Sequence, residues 1–249
     1  MDSNLTKPSL RIATWNIERP TLNGWKRNPR IAERIREIDA DVWILTETNA
    51  SIIPTSSRFP QVGYVSLASL PTKDLFHKLG ESCTTIWSRY GIKQAIETFE
   101  ANTAVCAEID TPIGRMIVYG TILTYANDTG PNGKSKKWVE HRKAIADHRK
   151  DWADIAAAFP RHSLCIAGDF NTSFCDNYYA AEINRSDLLA VLEMLGMKNL
   201  TAEVQRNIDH IAVTQTLVKG CTVSVTIWNE DKQLSDHIGI CVEMAPITT

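Results

Sequence analysis

The chain has 249 residues, with 27 Lys+Arg against 29 Asp+Glu, a formal charge of −2, and 43% hydrophobic and 22% charged residues. These proportions are ordinary for a globular chain and exclude disorder, collagen and a coiled coil. No stretch approaches the roughly 18 uninterrupted apolar residues of a membrane helix, and a charge near zero argues against one broad basic field for gripping nucleic acid, leaving room only for a local groove.

Read in chain order, Met1 to Pro8 are polar and lack the basic start and apolar stretch of a signal peptide, so the expectation is a cytoplasmic protein. Residues 10–16, 42–46, 84–88, 103–109 and 116–124 are short runs rich in Val, Ile, Leu and Thr, which predicts strands. Between the first two, Pro29 suits a first helical position, and Ile31, Ile35 and Ile38 then line one face. Turn-rich segments fall at 49–57, 69–73 and 127–135. A long helix is predicted over 136–159, where Trp138, His141, Ile145, His148, Trp152, Ile155 and Phe159 alternate spacings of three and four to form one stripe. A strand over 163–168 follows, then a helix from Ser186 as N-cap to Gly196 beyond its C-terminus. Strands at 208–214, 222–228 and 238–244 complete the chain. Helices and strands alternate early and strands dominate late, which predicts a layered α/β fold with mixed sheets. With no repeat, low-complexity tract or linker, 1–249 reads as a single domain with its core at about 10–244. The six cysteines (Cys83, Cys106, Cys165, Cys175, Cys221 and Cys241) form no CxxC pair, and most lie in apolar runs, so they read as reduced core thiols.

Polar residues stand at the ends of these strands. Asn16 and Glu18 close the first, Glu47 the second, and Asp169 with Asn171 the strand at 163–168, while Asp209 opens 211–213 and Asp236 with His237 opens 238–242. If the last two strands run antiparallel to the other three, all of these groups meet along one edge of the sheets. Alternation then pairs Asn16 with Glu18 and Asp169 with Asn171, puts Asp209 on the face of Ile211 and Val213, and puts Asp236 on that of Ile238 and Ile240. A carboxylate at the mouth of an apolar face is costly unless a cation or a histidine compensates it. An oxygen-rich set without thiolate suits Mg²⁺ or Mn²⁺ rather than zinc, and such a site serves water attack on a phosphoryl group. Taken singly, each Asp or Asn after a strand reads more simply as a turn or cap. The ordered set is the specific signal.

Thr14-Trp15-Asn16-Ile17-Glu18, Leu45-Thr46-Glu47, Gly168-Asp169-Phe170-Asn171, Ile208-Asp209-His210 and Ser235-Asp236-His237 appear in an order that resembles the endonuclease/exonuclease/phosphatase superfamily, the DNase I-like group. The resemblance spans nearly the whole chain. It implies a four-layered αββα sandwich of two mixed sheets flanked by helices, with the site at one end. It also implies Glu47 as principal ligand of Mg²⁺ or Mn²⁺, with Asn16, Glu18 and Asp236 close to the metal or its waters. Asp169 would deprotonate the attacking water, and Asn171 would hold a non-bridging phosphate oxygen. His237 would stabilise the charged phosphorus, and Asp209 would orient His237 and keep it protonated. Many nucleases of the group carry a His or Tyr after the strand that ends here at 119–124. One alignment puts Ile122 in that place; another puts Tyr125, a candidate for contact with substrate. The second metal ligand set also departs from the pattern, since Glu18 stands where some relatives have the shorter Asp.

Other features read more blandly. His141 and His148 lie seven apart on an apolar stripe, not at the four-residue spacing of a helical metal pair, and read as packed histidines. The basic run of Lys134, Lys136, Lys137, Arg142, Lys143, Arg149 and Lys150 is diluted by Glu140, Asp147 and Asp151 and reads as a solvated face before a polyanion contact. Among Trp25, Trp43, Trp87 and Trp228, the last is the best candidate to stack a base, because the loop 229–234 joins it to Ser235-Asp236-His237. The expected activity is a metal-dependent phosphoesterase acting on a nucleic-acid phosphodiester. The rival is hydrolysis of a small-molecule or lipid head-group phosphate, which the neutral charge favours. A catalytically silent binding module is a third reading, disfavoured because Glu47, Asp169 and His237 are all present.

Overall fold

The computed structural model describes residues 9–71 and 78–247, so the polar segment 1–8 and the end of the turn-rich stretch at 69–73 lie outside the described residues. In chain order the elements are β1 (Leu10–Asn16), α1 (Asn28–Ile38), β2 (Val42–Asn49), β3 (Val65–Ala68), β4 (Glu81–Ser88), β5 (Ile92–Ile96), β6 (Ala104–Thr111), β7 (Gly114–Ile122), α2 (Val139–Ala158), β8 (Ser163–Asp169), α3 (Glu182–Met194), β9 (Met197–Asn199), β10 (Asp209–Thr214), α4 (Gln215–Val218), β11 (Cys221–Trp228) and β12 (Gly239–Pro246). The strands form two six-stranded mixed sheets, ordered β11-β12-β1-β2-β4-β3 and β5-β6-β7-β8-β10-β9. Among the described residues no helix is long and apolar enough to cross a membrane.

Alternation along the strands makes three apolar layers. Ile12, Ile44 and Val242 of the first sheet pack against Val118, Ala167 and Ile211 of the second, which forms the central layer. The opposite face of the first sheet carries Trp15, Trp43 and Leu45 and is covered by Ile31, Ile35 and Ile38 of α1. The outer face of the second carries Tyr119, Ile166 and Ala212 and is covered by Ile145, Trp152 and Ile155 of α2 and by Leu188, Val191 and Leu192 of α3. The result is the expected αββα sandwich. Each fully buried Ile, Leu or Val contributes about 1.5–3 kcal/mol, so the two sheets are fixed face to face, and with them whatever stands at their rim.

Some local expectations give way to tertiary contacts. The third helix begins at Glu182, and Ser186 lies inside it instead of capping it. Asn184 supplies the reason: it is buried, and its amide donates to Trp138 O and to His141 Nδ1, so the α2–α3 contact draws in an extra turn. Gly196 does follow the helix, with φ +61°. The edge strands β3 and β5 carry little strand signal in the sequence, because their residues are mostly exposed and no buried face imposes a pattern. β12 starts at Gly239, so Asp236 precedes the strand and does not share the face of Ile240. Cys106, Cys165 and Cys241 are buried thiols, and burial pushes Cys165 and Cys241 up to about 12. Cys175 is exposed, contrary to a core role.

Gly168 links fold to site. Its φ is +136°, and a Cβ there would lie 1.9 Å from the carbonyl oxygen of Thr121 on the neighbouring strand β7. That space does not exist for any other residue, and the backbone conformation is one that L side chains rarely adopt. Gly168→Ala should therefore lower stability by about 3 kcal/mol or more, read as a reduced midpoint in urea unfolding. An unchanged midpoint would mean that β7 and β8 are not packed as described.

Candidate active site

The register of β8 and β10 sets the centre. These strands pair antiparallel with Asp169 opposite Asp209, Ala167 opposite Ile211 and Cys165 opposite Val213. The last four of these residues belong to the central apolar layer, so alternation puts both carboxylates on that same face, at its rim. In the first sheet, Asn16 continues the face of Ile12 and pairs in register with Thr46. Asn16 thus reaches across from one sheet to the other, and its Nδ2 donates to Asp169 Oδ2 at 3.2 Å. His237 lies on the loop before β12, where its Nδ1–H donates to Asp209 Oδ2 at 2.6 Å.

Asp169, Asp209 and His237 offer ligand atoms that all lie within 4.8 Å of one another. At that separation two carboxylates repel by about 3.5 kcal/mol at an effective dielectric near 20, and both are almost fully buried. Burial pushes the Asp169 carboxyl up to about 7; His237 opposes that shift and Asp209 adds to it. Burial alone would lower the pKa of the His237 imidazole, but the flanking carboxylates of Asp209 and Asp169 outweigh it and raise it to about 10. The imidazolium is therefore the charge that lets the two acids coexist. Its Nδ1 is committed to Asp209, and its Nε2 stands 3.8 Å from Asp236 Oδ1.

The loop after β8 is tied down on both sides of Asn171, which has φ +47°. Asn171 N–H donates to Asp169 Oδ1 at 2.8 Å, and its Nδ2 donates to Leu123 O at 2.8 Å. His141 Nε2–H donates to Phe170 O at 3.0 Å, and His210 Nε2–H donates to Thr172 O at 2.9 Å. The tautomers follow from the partners: Asn184 Nδ2 donates to His141 Nδ1, and Asn207 Nδ2 donates to His210 Nδ1. Burial lowers both histidines, His210 to about 4, so both act as neutral donors. His148 is likewise buried, hydrogen-bonded to Thr121 Oγ1. These histidines are packed, as the helical stripe predicts for His141 and His148.

The cluster opens into a cleft of about 850 Å³ whose lining includes Glu47, Asn171, Tyr125, Ile122, Asp236 and His237. Simple alternation would place Glu47 with Trp43 and Leu45 under α1. A left-handed backbone at Glu47, φ +47°, breaks the alternation, and its carboxylate meets Arg19 at 3.4 Å within the cleft lining. Glu18 also has positive φ, but its carboxylate pairs with Arg27 at 3.1 Å and is not part of that lining. Asp236 is 69% exposed. Ile122 pairs in register with Asp169 on β7, whereas Tyr125 is exposed on the cleft wall beyond the strand, so both candidates for that position face the cleft. Trp228 does not reach it: it is buried against Trp15 and Trp43, so the expectation of a stacking surface is corrected. The basic run on α2 is partly neutralised, with Arg142 on Asp187 and Lys143 on Glu140.

A hard divalent cation fits this donor set. Asp209 Oδ1 is a buried carboxylate oxygen without a hydrogen-bond partner, Glu47 presents a half-buried carboxylate to the same cleft, and among the described residues the lining holds a single cysteine, the half-buried Cys83.

The sequence model of the Endonuclease/Exonuclease/phosphatase family matches residues 13–237. The chain belongs to that family. Among curated proteins none matches it by sequence. Solved structures show the same fold. An endonuclease/exonuclease/phosphatase from Beutenbergia cavernae is 19% identical with a TM-score of 0.66, over 96% of this chain and 72% of that one. The 3′ phosphatase NExo from Neisseria, bound to product DNA hairpin, is 17% identical with a TM-score of 0.68, over 94% and 99%. An AP endonuclease from Archaeoglobus fulgidus is 15% identical with a TM-score of 0.67, over 94% and 98%.

The Asp209–His237 pair makes a direct prediction. In the metal-free protein, nitrogen-detected NMR should find the His237 ring doubly protonated from pH 6 to 8. Asp209→Asn should return its pKa toward the ordinary 6.5, because the carboxylate bonded to Nδ1 is gone and burial remains. A wild-type ring that titrates near pH 6.5 would contradict the pairing.

Proposed function

We propose that this chain is a divalent-metal-dependent phosphoesterase that cleaves a P–O bond by water attack, with a nucleic-acid phosphodiester as substrate. The observation that carries the reading is the imidazolium of His237 held between two buried carboxylates at the floor of an open cleft. A fixed cation in a partly dry site is what a phosphoryl group requires as negative charge builds on its oxygens.

In this reading Glu47 and Asn16 hold Mg²⁺ or Mn²⁺, with Asp236 alongside. Glu18 is reserved for Arg27 and steadies the loop after β1. When bound, the ion supplies Lewis-acid polarisation of the phosphate and compensates the acidic floor. Asp169 takes the proton from the attacking water. Its two oxygens already accept from Asn16 and the Asn171 backbone, which fix its plane, and a pKa of about 7 suits a base that works near neutrality. Asn171 offers a side-chain amide to a non-bridging oxygen, and Tyr125 lies where a substrate would contact the cleft wall. His237 donates from Nε2 toward the phosphorus oxygens while Asp209 holds Nδ1 and preserves the charge. Family membership supports the reaction class. The nucleic-acid substrate is supported by the DNA-bound neighbour, which is similar in fold. A small-molecule phosphate is the competing substrate, and the net charge of −2 is the observation in its favour.

The test is a hydrolysis panel over abasic, single-stranded and duplex DNA, RNA, inositol phosphates and sphingomyelin. EDTA should abolish turnover and Mg²⁺ or Mn²⁺ should restore it; a chelator-resistant enzyme would overturn the metal assignment. Asp169→Asn should remove most turnover with an unchanged melting curve. His237→Ala should slow kcat ~10²–10³-fold, the usual loss on deleting one preorganised donor, and a near-normal kcat would refute its role.

A further inference from the structure

One wall of the cleft carries a cationic arrangement that the proposed chemistry does not use. Tyr178, Arg206 and Lys232 line the cleft beside Asp236 and His237. The guanidinium of Arg206 lies over the Tyr178 ring at 5.4 Å, and the ammonium of Lys232 lies over the same ring at 5.1 Å. Lys232 Nζ also donates to Tyr178 Oη at 2.9 Å and to the Asp236 carbonyl at 2.6 Å. Among the described residues neither cation forms an ion pair with a carboxylate, although the chain as a whole is slightly acidic.

The arrangement is built from three separate loops. Asp176 joins two of them, its Oδ2 accepting from Arg206 N–H at 2.6 Å and its Oδ1 from Tyr178 N–H at 2.9 Å. Asn229 closes the third by donating to Ser235 O and His237 O and accepting from Leu234 N–H. Arg206 and Lys232 both have φ +54°. A left-handed backbone at two non-glycine residues costs about 1 kcal/mol or more at each, so the loops hold these cations at a conformational cost. Two cations that line one cleft and lie 5.4 and 5.1 Å from one ring centre suit an anionic group. They share that cleft with His237, and Lys232 is on the loop that carries it.

We infer that Arg206, Lys232 and Tyr178 bind a second phosphate of the substrate, adjoining the scissile one. The inference rests on the phosphoesterase reading for what lies next door, but the subsite itself is defined by binding. The second phosphate has two sources, the next linkage of a nucleic-acid strand or another ester on a small polyphosphorylated molecule.

The experiment is calorimetric titration of the full chain in EDTA at low salt. One arm compares the dinucleotide TpT with its 5′-phosphorylated form pTpT; the other compares inositol 1-phosphate with inositol 1,4-bisphosphate. In at least one arm the ligand with two phosphates should bind about tenfold more tightly than its one-phosphate counterpart, as expected for charge-assisted hydrogen bonds. That ratio should fall to near one in the Arg206→Gln/Lys232→Gln double variant. The arm that shows it names the source. Because Lys232 also ties the Asp236 carbonyl, Arg206→Gln alone is the second variant, and it should lower the ratio while melting like wild type. Absence of binding in both arms, a wild-type ratio of one, or a ratio that survives the double variant overturns the subsite. Turnover of the same ligands with Mg²⁺ is followed separately: no turnover with the binding ratio intact removes the phosphoesterase reading and leaves the subsite standing.

Discussion

Everything at the cleft floor depends on one neighbourly repulsion and its cure. The pairing of β8 with β10 sets Asp169 across from Asp209, and the apolar layer beneath them prevents either side chain from retreating into water. A cation beside them eases the pair, and His237 provides it from a loop that neither strand contains. The charge state of that imidazole is thus a consequence of sheet register. A one-residue slip of β10 against β8 would turn Asp209 to the outer face and take from His237 the carboxylate that holds its Nδ1.

The support for this arrangement extends outward in layers of decreasing polarity. Two neutral histidines, His141 from α2 and His210 from β10, grip the carbonyls on either side of Asn171. Both sit in apolar surroundings that would reject an imidazolium, and both find an acceptor and a donor there. The same residue type therefore plays opposite electrical parts within one site. Where two carboxylates flank the ring it is charged; where only amides and hydroxyls surround it, it stays neutral.

Much of this was legible from the chain. Short runs rich in Val, Ile, Leu and Thr located β1, β8 and β10, because these strands are buried on both faces, and the spacing of Ile31, Ile35 and Ile38 located α1, because that helix is buried on one. The strand-end residues Asn16, Asp169 and Asp209 were legible for the same reason: they continue an apolar face at the place where it meets solvent. The pattern failed where the backbone departs from regular geometry. Glu47 enters the cleft through a left-handed residue that no periodicity encodes. Trp228 reads as a loop-edge aromatic but is drawn into the layer between Trp15 and Trp43, since an indole buried on both faces gains more than one at the surface. The start of α3 is not encoded locally, because an asparagine in its first turn is held by a histidine 43 residues away. Arg206, Tyr178 and Lys232 carry no strand or helix signal at all, and only tertiary structure brings their loops together.

On the proposed reading, the distribution of charge fits a nearly neutral chain to a substrate with more than one phosphate. Nucleic-acid affinity from a broad basic surface rises with the number of phosphates neutralised and falls steeply with salt. Here positive charge is concentrated instead at points inside the cleft: His237 between its acids, and Arg206 with Lys232 on one ring a short way along the wall. In that reading such points reward a phosphate that arrives in register with the others and give little to a polyanion lying across the outside, so selectivity would come from the spacing of a few cations fixed by loops.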